Sequence, residues 1–336
     1  MRLLQSYGMR LRRKRHGLRA YRKSFGLRQV VNRTSAIRPG DILLFSTLRD
    51  EYVRLPYFLK YYRELGVAHF LIVDNDSSDG GRDYLSQQSD VSLWHARGSY
   101  RRANYGVDWL NWLQRRYAHD HWTLVVDPDE LFIYPFCDTR PIRALTDWLE
   151  VSQVRSFGAM LLDMYPKGRI DATPYAPGQD PIEVACWFDP GNYTIEKNPS
   201  FGNLWIQGGP RARVFFRDNP LMSPALNKVP LVKWNRRYTY VSSTHMLLPR
   251  GLNRTYDEWG GEKASGVLLH AKFLNTFAEK AKEELRRGQH YSASIEYKSY
   301  YENLRENPDL WCKWSEKYIN WRQLEILGLM SKGNWA

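Results

Sequence analysis

Two carboxylates follow directly after a short apolar segment near the middle of the sequence. Residues 123–126 have the composition of a buried strand, and Asp127 and Asp129 come immediately after them. Side chains two positions apart in an extended chain point to the same side, so these carboxylates would lie close together and repel each other. A divalent cation between them removes the repulsion, and Mn²⁺ and Mg²⁺ both accept carboxylate ligands. The pair predicts a Mn²⁺ or Mg²⁺ site, with a simple polar turn as the alternative.

A second apolar segment ends in the same way. Residues 70–73 are followed by Asp74 and then by a loop rich in Asn, Asp, Ser and Gly. The Asp74 carboxylate could accept hydrogen bonds from a base or a ribose, whereas Ser78 and Asp79 are typical of the residues that cap the next helix.

Apolar strand-like segments and helix-like segments alternate through this half of the chain. Residues 42–47, 70–73, 91–94 and 123–126 have strand patterns, and residues 51–65, 81–88 and 102–117 have helical spacing. This alternation predicts an α/β fold with a mainly parallel sheet, in which ligands bind beyond the carboxyl ends of the strands. We expect a nucleotide-binding half over residues 41–150, an acceptor half over 151–275 and a helical, aromatic-rich region over 276–336.

The composition excludes several classes of protein. The chain has 336 residues, 43% of them hydrophobic, which is typical of a globular protein and not of a disordered or collagen-like one. Its three cysteines provide neither a disulfide framework nor a CxxC metal site, so we expect a reducing compartment. No apolar run is long enough to cross a bilayer, and the basic N-terminus lacks the apolar stretch of a secretory signal. A cytoplasmic location is expected.

The positive charge is concentrated at the N-terminus. Residues 1–40 contain twelve Lys and Arg and no Asp or Glu, which leaves 37 basic and 36 acidic residues in the rest of the chain. Six apolar side chains of this arm follow helical spacing, namely Leu4, Tyr7, Leu11, Leu18, Tyr21 and Phe25. The pattern predicts a helix that lies on an anionic membrane surface at the inner face of the membrane. A solvated tail is the alternative, and no motif of the body indicates a nucleic-acid partner.

Three motifs together resemble the family 2-type glycosyltransferases. They are Thr-Leu-Arg-Asp-Glu at 47–51, Val-Asp-Asn-Asp-Ser-Ser-Asp-Gly at 73–80 and Val-Asp-Pro-Asp-Glu-Leu-Phe at 126–132. The third motif is similar to the Asp-x-Asp-Glu motif of a bacterial subgroup, and the resemblance extends over residues 41–295. It implies a GT-A fold, an α/β/α sandwich in which a divalent ion on the Asp-x-Asp motif holds the diphosphate of a nucleotide-sugar donor. It also implies a glycan or lipid-linked acceptor, inversion at the sugar, and a role in cell-surface polysaccharide or glycoconjugate synthesis.

The resemblance assigns roles residue by residue. It implies that Asp127, Asp129 and His270 bind the metal, although a lone histidine in an apolar segment is otherwise usually structural. The implied and candidate substrate-binding residues are Thr47, Arg49, Glu51, Asp74, Asp76, Arg102, Arg211, Arg213 and Lys272. Asp76 stands where the family usually has glycine, which leaves open whether Asp74 or Asp76 meets the base. Arg211 and Arg213 alternate in a predicted strand, where they could bind a phosphate or lie at a solvent-facing edge.

An inverting transfer needs a general base to take the proton of the acceptor hydroxyl group. Asp163, at the end of an apolar segment, and Glu262, after Gly260 and Gly261, are candidates, and His245 is a third. Two other functions stay open. A nucleotidyltransferase would normally carry a Gly- and Lys-rich loop after the first strand, and a non-enzymatic membrane-surface scaffold would not need carboxylates at several strand ends.

Overall fold

The computed structural model describes residues 2–256, 263–276 and 307–335. The helices in these ranges are α1 (Arg2–Ser24), α2 (Leu55–Leu65), α3 (Gly81–Ser86), α4 (Val107–Tyr117), α5 (Ile142–Val151), α6 (Pro181–Val184) and α7 (Trp321–Ile326). The strands are β1 (Leu27–Val31), β2 (Ile42–Leu48), β3 (His69–Asp74), β4 (Val91–Ala96), β5 (Trp122–Val125), β6 (Glu130–Ile133), β7 (Ser156–Asp163), β8 (Trp187–Phe188), β9 (Tyr193–Lys197), β10 (Leu204–Gly208), β11 (Asn227–Lys233), β12 (Thr239–Ser242), β13 (Met246–Leu248), β14 (Gly266–His270) and β15 (Glu316–Lys317). Within the described ranges, no helix combines the length and apolar character that a membrane span requires.

A central sheet of nine strands organises the molecule, in the order β1-β4-β3-β2-β5-β11-β7-β14-β6. The strands β2, β3, β4, β5, β7 and β14 run in one direction, and β1, β6 and β11 run against them. The predicted α/β fold with a mainly parallel sheet is confirmed. The four neighbouring parallel strands are apolar along most of their length because both faces of the sheet are covered.

The two faces of the sheet belong to different core clusters. In β2, Ile42 and Leu44 pack into one cluster together with residues of α2 and α5. Leu43 and Phe45, which alternate with them, pack into the other cluster with residues of α4. This alternation is the period-two pattern of a strand covered on both sides, and it gives the chain three layers.

The N-terminal arm is attached to this core. β1 pairs with β4 in antiparallel orientation, and α1 packs against α4. Arg19 Nε lies 2.7 Å from Asp108 Oδ2, and the Asp108 side chain is fully buried. Burial raises the pKa of Asp108, although the Arg19 charge acts in the opposite direction. The domain boundaries of the sequence analysis stay predictions, but β1 lies inside the predicted arm and belongs to the sheet.

Two predicted segments differ in the structure. The helix predicted from Arg102 begins at Val107, because Asn104, Tyr105 and Gly106 have positive φ angles of 53°, 56° and 79° that interrupt a right-handed helix. Arg101–Ala103 forms a 3₁₀ turn instead. Of the predicted helical region 276–336, residues 277–306 lie outside the described residues, and the described part contains the short helix α7.

The backbone of Gly158 in β7 lies in close contact with Thr255, so a substitution at Gly158 tests how tightly the two segments pack. A Cβ atom at this position would meet the hydroxyl group of Thr255 and lie 2.7 Å from its Cβ atom. We expect Gly158→Ala to lower the free energy of unfolding by about 1–3 kcal/mol, the usual cost of overpacking. Gly251→Ala is the control, since nothing lies within 4 Å of its added Cβ atom. Urea unfolding followed by circular dichroism measures both variants, and equal stabilities would contradict the close packing.

Candidate functional site

Two of the three predicted metal ligands, Asp129 and His270, meet at one edge of the sheet. β7 and β14 run parallel, and their final residues, Asp163 and His270, are paired in register. On its other side, His270 is paired with Glu130, the first residue of the antiparallel strand β6. Asp129 immediately precedes β6, and its carbonyl oxygen accepts a hydrogen bond from the Ala271 amide at 2.8 Å. The strand order therefore brings together residues that are far apart in the sequence.

His270 lies between two carboxylates. Its Nδ1 atom is 2.6 Å from Asp163 Oδ1, and its Nε2 atom is 3.3 Å from Asp129 Oδ2. Arg211 Nε donates to Asp163 Oδ2 at 2.6 Å, so both oxygens of Asp163 have partners. Burial opposes ionisation of Asp163, but the Arg211 charge and the His270 hydrogen bond outweigh it and lower its pKa to about 2. Asp163 is therefore a fixed negative charge that holds the imidazole in place.

The arrangement of His270 fits a divalent cation. When Nδ1 donates its proton to Asp163, the lone pair of Nε2 faces the carboxylate of Asp129, and two acceptors lie in contact. Either a proton or a metal ion is needed between them, and a carboxylate that orients a metal-bound histidine is a common arrangement. Asp129, Glu130 and His270 each offer a ligand atom, and these atoms lie within 4.8 Å of one another.

The pKa values of His270 and Asp129 shift in the directions that favour an ion pair between them. Burial lowers the pKa of His270, but the charges and hydrogen bonds of Asp129 and Asp163 together outweigh burial, and the net shift is upward. For Asp129, burial favours the neutral acid, but the charge and hydrogen bond of His270, together with the charges of Arg54 and Lys272, outweigh burial and lower the pKa.

Asp127, the remaining predicted ligand, lies beside this cluster. Its carboxylate is half exposed, and Asp127 Oδ2 accepts a hydrogen bond from Lys228 Nζ at 3.3 Å. The cluster thus contains two of the three predicted ligands, with Glu130 beside them.

Lys228 is a buried cation that the sequence analysis did not single out. It lies on β11 and contacts Glu130 as well as Asp127. Burial lowers its pKa, but the charges of Glu130 and Asp127 outweigh burial and raise it. Lys228, inside the otherwise apolar first part of the strand Asn227–Lys233, was the available signal, because a buried lysine requires a partner. Pro230, two residues further along the strand, cannot donate to the sheet and coincides with an irregular register between β11 and β7.

Arg54 is a second buried cation that the sequence analysis missed. Its Nη1 atom donates to Glu51 Oε2 at 2.8 Å, and its Nη2 atom donates to the Ala271 carbonyl oxygen at 3.3 Å. Glu51 therefore holds an arginine whose charge acts on Asp129. The three-residue spacing of Glu51 and Arg54 beside a helix start was the signal for this pair.

The two candidate carboxylates of the second loop have different environments. Asp74 is fully buried, and its oxygens accept hydrogen bonds from the Ser77 amide at 3.3 Å. Asp76 is half exposed with φ of 62°, and its Oδ1 atom accepts from His95 Nε2 at 3.0 Å. The His95 hydrogen bond lowers the pKa of Asp76. Asp74 thus stabilises the loop, whereas Asp76 presents its carboxylate to solvent.

A cavity lies next to Asp127 and Lys228. Its lining consists of Thr47, Tyr100, Tyr105, Val107, Leu110, Val125, Val126, Asp127, Lys228, Tyr240, Ser243 and Thr244. The hydroxyl groups of Thr47 and Thr244 are buried and have no hydrogen-bond partner among the residues that the structure describes. Because an unsatisfied buried hydroxyl group costs free energy, these two groups mark positions where a polar ligand would be stabilised.

Several predicted residues lie away from the cavity or have other partners. The strand predicted at Arg211 and Arg213 is wrong: Arg211–Phe215 forms a π-helical turn, which Pro210 begins with φ of −62° and ψ of −31°. Arg213 donates to both oxygens of Asp189 at 3.0 Å and to the Leu310 carbonyl oxygen.

The other predicted residues are placed as follows. Arg49 Nη1 donates to the Asn75 carbonyl oxygen at 3.0 Å, and Arg102 is exposed in the turn before α4. Lys272 is the second residue after the end of β14. Glu262 lies outside the described residues.

His245 is held as a neutral imidazole. Its Nδ1 atom donates to the Asn227 carbonyl oxygen at 2.6 Å, which leaves Nε2 as the acceptor. Burial, followed by the nearby Lys228 charge, lowers the pKa of His245 to about 4.

Comparisons with known proteins give no family assignment. No family model and no curated protein matches the sequence. One solved structure, mannosyl-3-phosphoglycerate synthase from Rubrobacter xylanophilus, has a TM-score of 0.24 and 16% identity over 42% of this chain and 48% of its own, so the match spans about half of that protein. A putative glucose-1-phosphate thymidylyltransferase from Bacillus anthracis, solved with sucrose, has a TM-score of 0.27 and 10% identity over 86% and 95% of the two chains. At these TM-scores neither likeness supports an argument about this chain.

The pairing of Lys228 with Glu130 can be measured. We expect Lys228→Met to lower the free energy of unfolding by about 3–5 kcal/mol, because it leaves the buried carboxylate of Glu130 without its cation. In a Glu130→Gln background the same substitution should cost less by roughly 1–3 kcal/mol. Lys233→Met is the matched control on the same strand, since its pair with Glu150 is partly exposed and contributes at most about 1 kcal/mol. Equal losses in both backgrounds would show that the two charges do not interact.

Proposed function

We propose that this protein is a metal-dependent glycosyltransferase that moves a sugar from a nucleotide-sugar donor to a hydroxyl group of a glycan or lipid-linked acceptor. The observation that carries the proposal is the contact between His270 Nε2 and Asp129 Oδ2, two groups that need either a proton or a metal ion between them, at the carboxyl edge of the sheet. The cavity beside Asp127 supplies the adjoining space for a ligand. The motif resemblance supports the choice of donor.

Asp129 and His270 are the proposed metal ligands, with Glu130 or Asp127 as the third. A bound Mn²⁺ or Mg²⁺ supplies electrostatic stabilisation of the charge that develops on the leaving nucleoside diphosphate. Asp163 positions His270 by accepting the Nδ1 proton, and Arg211 fixes Asp163 in turn. Lys228 and Lys272 bring positive charge to the same place, which favours the binding of a diphosphate.

The cavity is the proposed site for the nucleoside. Thr47 and Thr244 would donate or accept hydrogen bonds with their hydroxyl groups, and Tyr100 and Tyr105 offer aromatic surface to a base. On the open side of the second loop, Asp76 has the more accessible carboxylate, and we assign it rather than Asp74 to the base or ribose.

For the general base we favour His245 among the described candidates. Its neutral imidazole keeps Nε2 as an acceptor, and Thr244, the residue before it, lines the cavity beside Asp127 and Lys228. Asp163 is a weaker choice because both of its oxygens are engaged and its pKa is about 2. Glu262 and inversion at the sugar stay predictions.

The function is tested by a screen of donor hydrolysis over UDP- and GDP-sugars with Mn²⁺, with Mg²⁺ and with chelator. The proposal expects hydrolysis that requires a divalent ion. Release of pyrophosphate from a nucleoside triphosphate and a sugar 1-phosphate would instead identify a nucleotidyltransferase, and the absence of any nucleotide binding in calorimetry would favour a scaffold.

Replacing the metal ligands should abolish this turnover. We expect Asp129→Asn and His270→Ala each to reduce metal-dependent hydrolysis by at least about 100-fold, because each removes a ligand atom. Asp163→Asn should weaken Mn²⁺ binding by roughly 10–100-fold, since it no longer orients His270 as an anion. Asp147→Asn, at an exposed carboxylate of α5, is the control. Normal Mn²⁺ titrations for Asp129→Asn and His270→Ala would refute the assignment.

Substitutions of His245 and His270 should affect different quantities, the former kcat and the latter the affinity for Mn²⁺. We expect His245→Ala to lower kcat by roughly 100-fold or more while the affinity for Mn²⁺ is kept, as a lost general base does. His270→Ala should weaken Mn²⁺ affinity by a larger factor than His245→Ala. The opposite order in a metal titration would mean that His245 is the ligand.

A further inference from the structure

The helix α1 has two faces of different character. Ala20 is buried, and Met9 and Gly17, which lie on the same face, are partly buried where α1 packs against the body. On the opposite face, Tyr7 is 60% exposed, Leu18 51% and Phe25 75%. The apolar stripe expected from the sequence is therefore not the face that packs on the protein.

The exposed stripe consists of Tyr7, Leu11, Lys14, Leu18 and Tyr21 on α1 together with Phe25, the first residue after the helix, and we call this set the outer face of α1. Its members are spaced by three or four residues, so they form one continuous line along the helix. The exposed arginines Arg10, Arg15 and Arg22 flank this line. The segment 1–40 contributes twelve basic and no acidic residues.

The inner contacts of α1 hold the outer face in this orientation. Arg19 pairs with the buried Asp108, and the Arg12 guanidinium lies 4.8 Å from the ring centroid of Phe201. Tyr21, a member of the outer face, also touches the body, since its ring centroid lies 5.6 Å from that of Trp112. The other apolar members, among them Tyr7, Leu11 and Leu18, stay exposed while Arg19 and Arg12 hold α1 on the body.

Charge decides which partner suits this face. A second copy of the chain would place two strongly basic helices side by side, which electrostatic repulsion disfavours. A nucleic acid would bind the arginines but would leave Leu11 and Leu18 in water, since its recognition uses phosphates and aromatic stacking. An anionic bilayer satisfies both features, because apolar side chains enter the acyl boundary and basic side chains meet the headgroups.

We propose that the outer face of α1 binds the surface of a membrane that contains anionic phospholipids. Leu11, Leu18 and Phe25 enter the boundary between headgroups and acyl chains, and Arg10, Arg15 and Arg22 contact the phosphates. This inference rests on α1 alone and is independent of the proposed enzyme activity.

Sedimentation of the full chain with vesicles tests the proposal. We expect binding to vesicles of phosphatidylcholine and phosphatidylserine, and much weaker binding to phosphatidylcholine alone. Raising the ionic strength should reduce the binding without abolishing it, because salt screens the charges and not the apolar part. Failure to sediment with the anionic vesicles at low ionic strength would overturn the proposal.

Two sets of substitutions separate the electrostatic contribution to vesicle binding from the apolar contribution. Arg10→Gln, Arg15→Gln and Arg22→Gln together should weaken binding to anionic vesicles on the order of 100-fold. Leu11→Ser, Leu18→Ser and Phe25→Ser together should weaken it by at least about 10-fold and remove the salt-resistant part. The control replaces Ile319 and Ile326, which are exposed apolar residues far along the chain, with Ser and should bind as the unchanged protein does.

Circular dichroism must show the same helix content and melting temperature for all variants as for the unchanged protein. If a triple variant does not fold, the vesicle measurement is repeated with Leu18→Ser alone or with Arg22→Gln alone. Equal vesicle binding by folded variants and unchanged protein would overturn the proposal. It would also be overturned if the protein bound single-stranded RNA more tightly than anionic vesicles at the same ionic strength. Dimers that dissociate on substitution of the outer face, seen by analytical ultracentrifugation, would assign the face to a second copy instead.

Discussion

Three carboxylates at one edge of the central sheet are withdrawn from water, and each must have a positive partner within contact distance. Asp163 has Arg211, Glu130 has Lys228, and Asp129 has His270. Every one of these partners comes from a different element than its carboxylate. The pairing therefore constrains the strand order and the register as strongly as the apolar core does, because a shift of one residue would separate each charge from its partner.

The reversed direction of β11 is part of this arrangement. It runs antiparallel between β5 and β7, so Lys228 lies near its beginning and reaches the same edge at which the parallel strands end. A parallel strand of the same sequence would present the residue after its last position, Trp234, at this edge. The reversed direction of β11 brings a cation to the place where the parallel strands end in acids, and the proposed diphosphate site would gain its balance of charge from it.

The sequence allowed the parallel strands and the acids at their ends to be predicted, because apolar runs followed by Asp are local patterns. The partners could not be predicted, since Lys228 and Arg211 become neighbours of those acids only through strand order and the π-helical turn. The helix α1 was also predicted correctly, because the helical spacing of its apolar residues is a local pattern. Which face would pack was decided by long-range features, above all the buried Asp108 and the small residues at Gly17 and Ala20.

Arg19 has a second contact besides Asp108: its Nη2 atom donates to the Arg102 carbonyl oxygen at 3.2 Å. The turn that contains Arg102 lies between Tyr100 and Tyr105, which line the cavity. One side chain thus joins α1 to the cavity wall. By thermodynamic linkage, if a ligand in the cavity changed the affinity of α1 for a membrane surface, that surface would change the affinity for the ligand by the same factor. Localisation and substrate capture would then be two readouts of a single equilibrium.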